Sequence, residues 1–254
     1  MSKTALVLIR REPMYRKDAI DSGFSKLGFQ LVKSPNPKPG SVVCVWNRKP
    51  QDEAVCQQYE QAGGKVVVVE NSYLCRERKA MYSLSLGGHN GSGYSPVGDE
   101  DRFGKLGYEV KPWRHNPEGH ILVIQQRGIG KPGMASPPAW AEQQAEKFKR
   151  LGRKVKLRPH PGENKPRTTV EQDLEGAAFM HIWSSGCGVL ALVEGYPVVY
   201  NAPHWICEQG GTRGWNNPGY GDVSRAAALH RMSWSQWHHD EIKTGEPLAR
   251  LLGL

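Results

Sequence analysis

Four stretches of this 254-residue chain place polar side chains where they could do chemistry. Val66-Val67-Val68-Val69 runs directly into Glu70, followed by Asn71-Ser72-Tyr73-Leu74. A buried strand that ends in a carboxylate holds it where partial burial lifts its pKa toward that of a usable general base. An ion pair with Arg76 or Arg78 is the competing use. Gln125-Gln126-Arg127-Gly128-Ile129-Gly130-Lys131 follows a second apolar run. A polar, basic turn at the carboxyl end of a parallel strand suits a phosphate. It lacks the spacing of a Walker loop or of G-x-G-x-x-G, and a plain surface loop fits it as well.

The third stretch is Arg158-Pro159-His160-Pro161-Gly162, again after an apolar run. Flanking prolines narrow the backbone of His160 and present it at low entropic cost, although a lone loop histidine is often simply surface. The fourth, Trp183-Ser184-Ser185-Gly186-Cys187-Gly188, reads as a turn from strand into short helix. Two hydroxyls and the first free amides would meet there, which serves an anion and also caps the helix.

Elements able to position these groups follow from the hydrophobic pattern. Apolar runs predict strands over 4–9, 41–46, 65–69, 120–125, 154–158, 179–183 and 197–200. Most are continuous in Val, Ile and Leu, as parallel strands covered on both faces are. Helical spacing predicts helices over 15–27, 51–62 and 137–151, the last with Ser136 as N-cap and Pro137 as its first residue. Strand and helix alternate, so the fold class is α/β: two small doubly wound Rossmann-like domains facing a cleft. Residues 83–107, rich in glycine, show neither period and read as a long functional loop. Residues 111–117, Lys-Pro-Trp-Arg-His-Asn-Pro, read as a linker, which puts the domains at 1–115 and 116–254.

Composition bounds the function. A chain with 38% hydrophobic and 23% charged residues is an ordinary globule and not a disordered segment. No apolar stretch reaches the length of about 18 residues that spans a bilayer. The amino terminus lacks a cleavable leader pattern, so a cytoplasmic location is expected. Cys44, Cys56, Cys75, Cys187 and Cys207 are too scattered for a disulfide framework or a Cys-x-x-Cys zinc site and read as free thiols. The net charge of +9 and pI near 9.3 favour an anionic partner without naming it.

Taken together, the Glu70 strand end with Tyr73-Leu74, the Gly88-His89-Asn90-Gly91 loop, the His160-Pro161 turn and the Ser184-Ser185-Gly186 turn resemble one glycosyltransferase group. These are the GT-B-like capsular-polysaccharide transferases and bacterial polysialyltransferases, and the likeness runs in patches from about Val66 to Pro197. It implies that Glu70 is the general base and that His160 with Ser184 and Ser185 holds the phosphates of a nucleotide-sugar donor, a UDP-sugar first. It further implies an acceptor-side domain before residue 115 and a donor domain after it. Asn71-Ser72-Tyr73-Leu74, Gly88-His89-Asn90-Gly91 and Trp234-Ser235-Gln236-Trp237 also look like compact bacteriophage transferases that glycosylate hydroxymethylated pyrimidines in DNA. That would place the protein in the host cytoplasm and DNA among its partners.

On this reading Glu70, or His89 or Asp99 in reserve, removes a proton from an acceptor hydroxyl. Arg127, Arg158, His160 and the Ser184-Ser185-Gly186 turn stabilise the departing nucleotide. No obligatory metal is expected. In duplex DNA the target base would leave the stack, and Trp113, Trp205, Trp215, Trp234 or Trp237 could receive it, although tryptophan is more often core. The rivals are a saccharide-directed transferase of capsule or envelope synthesis, a non-catalytic nucleic-acid-binding protein, and an epimerase or hydrolase on the same fold.

Overall fold

The two valine runs become the centre of a sheet whose faces are both covered. In the computed structural model, which describes residues 3–12, 14–74, 80–130, 133–162 and 164–254, the chain begins β1 (Thr4–Val7), α1 (Met14–Lys26), β2 (Gln30–Val32) and β3 (Val42–Trp46). It continues α2 (Glu53–Gln61), β4 (Lys65–Asn71) and β5 (Met81–Leu86). β2, β1, β3 and β4 pair in parallel, and β5 joins β4 antiparallel. Alternation along each strand sends Val42, Cys44, Val67 and Val69 to one face, against Ala19, Ile20 and Phe24 of α1. Val43, Val45, Val66 and Val68 go to the other face, against Cys56 and Tyr59 of α2. That is why these strands are apolar throughout.

A second sheet follows. Its elements are α3 (Arg102–Lys105), β6 (His120–Ile124), α4 (Trp140–Arg150), β7 (Val155–Arg158), α5 (Val170–Leu174) and β8 (Ala177–Ile182). After these come α6 (Cys187–Val193), β9 (Val198–Tyr200), β10 (Thr212–Arg213) and α7 (Asp222–Ser233). All five strands are parallel, in the order β10-β9-β8-β6-β7. Ile121, Val123 and Phe179 pack on Trp140, Ala141, Ala145 and Phe148 of α4. The chain then returns to the first sheet with β11 (Gln236–His238), α8 (His239–Thr244) and α9 (Glu246–Leu252). β11 pairs antiparallel with β5, giving β11-β5-β4-β3-β1-β2. α1 crosses α8 closely at Gly23, where a Cβ would collide with the Ile242 carbonyl oxygen.

The architecture is thus α/β with two Rossmann-like sheets, as expected, and four details differ. The chain divides by contact into one unit of the described residues up to 100 with Gly130 and residues 234–254, and another of the described residues in 101–129 and 133–233. The expected division at 115, with a contiguous domain from 116 to 254, misses this return of the carboxyl terminus. Residues 83–107 are not all loop, because β5 reaches Leu86 and α3 spans Arg102–Lys105. The helix expected over 137–151 begins at Trp140, after Ala139 in a left-handed conformation (φ 55°), and Ser136 does not cap it. Pro138 disfavours a helical Pro137 before it, so the first turn cannot form there. Finally, Trp205, Trp234 and Trp237 are buried in the core and Trp113 is half-buried, which leaves Trp215 as the exposed one of the five.

Gly188 on α6 tests this packing. A Cβ there would sit 2.7 Å from Ile182 Cδ1 and 2.7 Å from Cζ2 of the buried Trp205. Gly188→Ala is therefore expected to lower unfolding free energy by about 2 kcal/mol, the scale of an overpacked core, as a shift in the urea midpoint with an unchanged slope. A variant as stable as the parent would show that α6 shifts freely against Trp205.

Candidate functional site

In the second unit the chain passes from β6 to β7 on one side and later to β8 on the other. Such a reversal opens a crevice at the carboxyl end of the first strand, where ligands of doubly wound sheets bind. Residues 125–128 leave β6 at that point. The Gln126 side-chain oxygen accepts the Ser184 amide at 2.9 Å, and the Gln125 side-chain oxygen accepts the His160 amide at 3.3 Å. Two adjacent glutamines at the end of one strand thus tie down the turns that leave both neighbouring strands. Gln125 is itself held by Glu142 on α4, at 2.8 Å.

His160 is half-buried, and its Nδ1 accepts the Gly162 amide at 2.9 Å. An imidazole that accepts at Nδ1 carries its proton on Nε2 when neutral, and so presents a donor there. A Cβ on Gly162 would lie 3.1 Å from His160 Nδ1 and 3.4 Å from a terminal nitrogen of Arg127, so the exposed Arg127 guanidinium reaches the same turn. On the other side Ser184 is buried, Ser185 Oγ accepts the Cys187 amide at 3.2 Å, and Gly186 is the N-cap of α6. Arg127, His160, Ser184, Ser185 and Gly186 therefore all leave the carboxyl ends of β6, β7 and β8.

Arg158 does not join them. It is 7% exposed and forms a buried ion pair with Asp173. The same guanidinium donates to the Thr168 and Thr169 carbonyls, at 2.9 and 3.2 Å. Burial would raise the Asp173 pKa, but hydrogen bonds from Lys156, Thr168 and Arg158 outweigh it and hold the group below its ordinary value. Arg158, expected among the donor-binding residues, thus ties β7 to the start of α5.

The first unit carries the expected base. Glu70 lies opposite Ser83 across the β4–β5 pair and is half-buried. Its Oε1 accepts the Tyr73 hydroxyl and the Asn90 amide, the latter at 3.0 Å. Burial pushes its pKa up to about 7, and the two hydrogen bonds keep it from rising further. Arg76 and Arg78, the competing ion-pair partners, lie outside the described residues. His89 precedes Asn90 in a turn closed by the Ser92 amide and hydroxyl on the His89 carbonyl, at 3.0 and 2.7 Å. Asp99 is exposed.

Sequence reasoning quoted Tyr73, Gln125, Gln126 and Gln236 within its motifs but gave none of them a role of its own. The Gln236 side-chain oxygen accepts the Tyr73 amide at 2.8 Å and the Ser72 hydroxyl at 2.7 Å, so β11 fixes the turn that brings Tyr73 to Glu70. The expectation of no obligatory metal took the chain to lack an Asp-x-Asp pair, but Asp99-Glu100-Asp101 has that spacing. The Asp101 carboxylate is occupied as the N-cap of α3, accepting the Gly104 amide at 2.9 Å. Among the described residues, His238, His239 and Asp240 bring donor atoms within 4.8 Å of one another, but Asp240 already pairs with Lys243 at 3.1 Å.

Cys44, Cys56, Cys187 and Cys207 are free thiols. No helix of the described residues is long and apolar enough to cross a membrane.

No protein-family model matches this chain, and no curated protein matches it in sequence. Among solved structures it is similar to the beta Kdo 2,7 transferase of Thermosulfurimonas dismutans KpsC. The two share 12% identity with a TM-score of 0.59, over 98% of this chain and 99% of that one. It is similar as well to the beta Kdo 2,4 transferase of the same KpsC, at 12% identity and a TM-score of 0.56, over 91% of this chain and 90% of that one. The fold of this protein is similar to that of these two transferases, α/β and GT-B-like, with two Rossmann-like sheets.

Proposed function

We propose that the protein is a glycosyltransferase that moves a sugar from a nucleotide-sugar donor to a hydroxyl of a saccharide acceptor. The observation that carries the reading is Glu70, a carboxylate at a strand end with its pKa lifted to about 7, where a general base is most effective. The whole-length likeness to two Kdo transferases supports the reaction class and favours a saccharide acceptor over DNA.

In this reaction the acceptor hydroxyl gives its proton to Glu70 as its oxygen bonds to the anomeric carbon. The bond from that carbon to the phosphate oxygen breaks, and the nucleotide leaves with the electron pair. His160 Nε2–H, the Ser184-Ser185-Gly186 turn and Arg127 receive the charge that develops on it. A second reading, transfer to hydroxymethylated pyrimidines in DNA, rests on the net charge of +9.

A panel of UDP-, GDP- and CMP-sugars tests both, with a simple oligosaccharide, plain DNA and hydroxymethylated DNA as acceptors and mass spectrometry of the products. A sugar-sized gain on the oligosaccharide supports the main reading, and a gain on hydroxymethylated DNA alone replaces it with the second. No gain on any acceptor, alongside acceptor-free cleavage of a nucleotide sugar, would make the protein a hydrolase. His160→Ala is expected to lower kcat/KM for the donor by about tenfold, the loss of one hydrogen bond to a charged group. Unchanged donor kinetics would remove His160 from the site.

A further inference from the structure

Residues 147–156, Lys-Phe-Lys-Arg-Leu-Gly-Arg-Lys-Val-Lys, place six basic side chains in ten positions at the end of α4 and the start of β7. Because α4 returns the chain to the beginning of β7, this corner lies at the amino end of the second sheet. His160 and Ser184 leave the opposite end. Two of the cations are neutralised: Arg150 by Glu146 at 3.1 Å, and Lys156 by Asp173 at 2.7 Å. Arg153 donates to the Pro117 carbonyl and meets no carboxylate among the described residues. The side chains of Lys149 and Lys154 are exposed and make no ion pair or hydrogen bond among the described residues. Lys147 lies 3.8 Å from the ring centroid of Trp215, which is 38% exposed.

Unpaired cations on an exposed corner suit a phosphate chain. A lipid surface fits less well. The apolar residues of α4, Ala141, Ala145 and Phe148, face the sheet, and among the described residues the corner and the strand it enters offer Leu151, Leu157 and Trp215 for insertion, against six basic side chains. We propose that the α4–β7 corner of the second unit docks the phosphate backbone of a nucleic acid. The inference is independent of the transferase reading, since it uses none of that site's residues.

The test is fluorescence anisotropy of the intact protein with a labelled single-stranded oligodeoxynucleotide of about 20 residues, across a salt series. The wild type is expected to bind with steep salt dependence. Lys147→Glu/Lys149→Glu/Lys154→Glu is expected to weaken binding more than tenfold at about 50 mM salt. It should also flatten the slope of log affinity against log salt by about 2, three contacts at the single-strand value. The corresponding triple Lys→Arg variant, which keeps the charge, should bind within about threefold of wild type, and matching circular dichroism melts show that all three proteins are folded. Any of three results overturns the proposal: no salt-dependent binding by the wild type, equal binding by the charge-reversed variant, or capture by phosphatidylglycerol vesicles with none by DNA.

Discussion

Glu70→Gln is expected to reduce turnover by about 100- to 10,000-fold, the scale of a lost general base. The substitution keeps the size of the side chain and an oxygen able to accept from Tyr73 and Asn90, but an amide cannot take the acceptor's proton. Donor affinity should stay near wild type, because the donor residues stand in the other unit, so the loss falls on kcat and not on the donor KM. The wild-type pH profile carries the same argument. The reaction needs the ionised carboxylate, so activity should rise with pH through about 7 and then level off. Tyr73→Phe removes a hydrogen bond that favours the ionised form, so the rising limb should move to higher pH. If Glu70→Gln keeps more than about a third of wild-type turnover, far above the residual rate expected without a base, the base lies elsewhere. His89, on the turn whose next residue binds Glu70, is then the next to substitute.

Much of this site follows from strand ends, and strand ends are legible where strands are apolar throughout. β3 and β4 could be read as Val-rich runs because helices cover both of their faces, so Glu70 could be placed before any coordinates. The same logic located the turns after β6, β7 and β8, where His160 and Ser184 stand. β5 was missed although Tyr82, Leu84 and Leu86 alternate with Ser83 and Ser85, the signature of an antiparallel strand. The neighbouring glycines outweighed that period. β11 has three residues and no pattern of its own, because its place is set by pairing with a strand some 150 positions earlier.

Side-chain amides and ion pairs were the other blind spot. Gln125, Gln126 and Gln236 act by accepting backbone amides from distant turns, and nothing in their sequence neighbourhood marks them for that work. The ion pair of Arg158 was hidden for the same reason, since its partner Asp173 lies 15 residues away and only the fold brings them together.

The two units should respond to pH in opposite directions. His181, on β8, is fully buried among Trp140, Phe148 and Phe179, and its Nε2 pairs with Asn201 at 3.1 Å. Burial lowers its pKa from 6.5 to about 4, against the raising effect of its hydrogen bonds to Asn201 and Gly214, while the charge of Lys147 adds to the lowering. The unfolded chain therefore takes up this proton near pH 6.5 and the folded unit only near pH 4. Stability of the second unit falls as pH drops across that window, by about 3 kcal/mol in total.

Glu70 has the reverse sign. Its folded pKa of about 7 lies above the ordinary 4.5, so the first unit loses stability as pH rises from 4.5 to 7. The amount should be smaller than for His181, because Glu70 is only half-buried. A whole-molecule melt would report only the difference of these trends between pH 4.5 and 6.5. Hydrogen exchange separates them: after correction for intrinsic rates, peptides covering Ala177–Ile182 should lose protection from pH 6.5 to 4.5, while those covering Lys65–Asn71 gain it. His181→Phe should abolish the first trend, at a fixed cost from the donor that Asn201 loses, and Glu70→Gln should abolish the second. Protection of β8 that stays flat across the window in the wild type would mean that the His181 ring reaches water, contrary to its burial against α4.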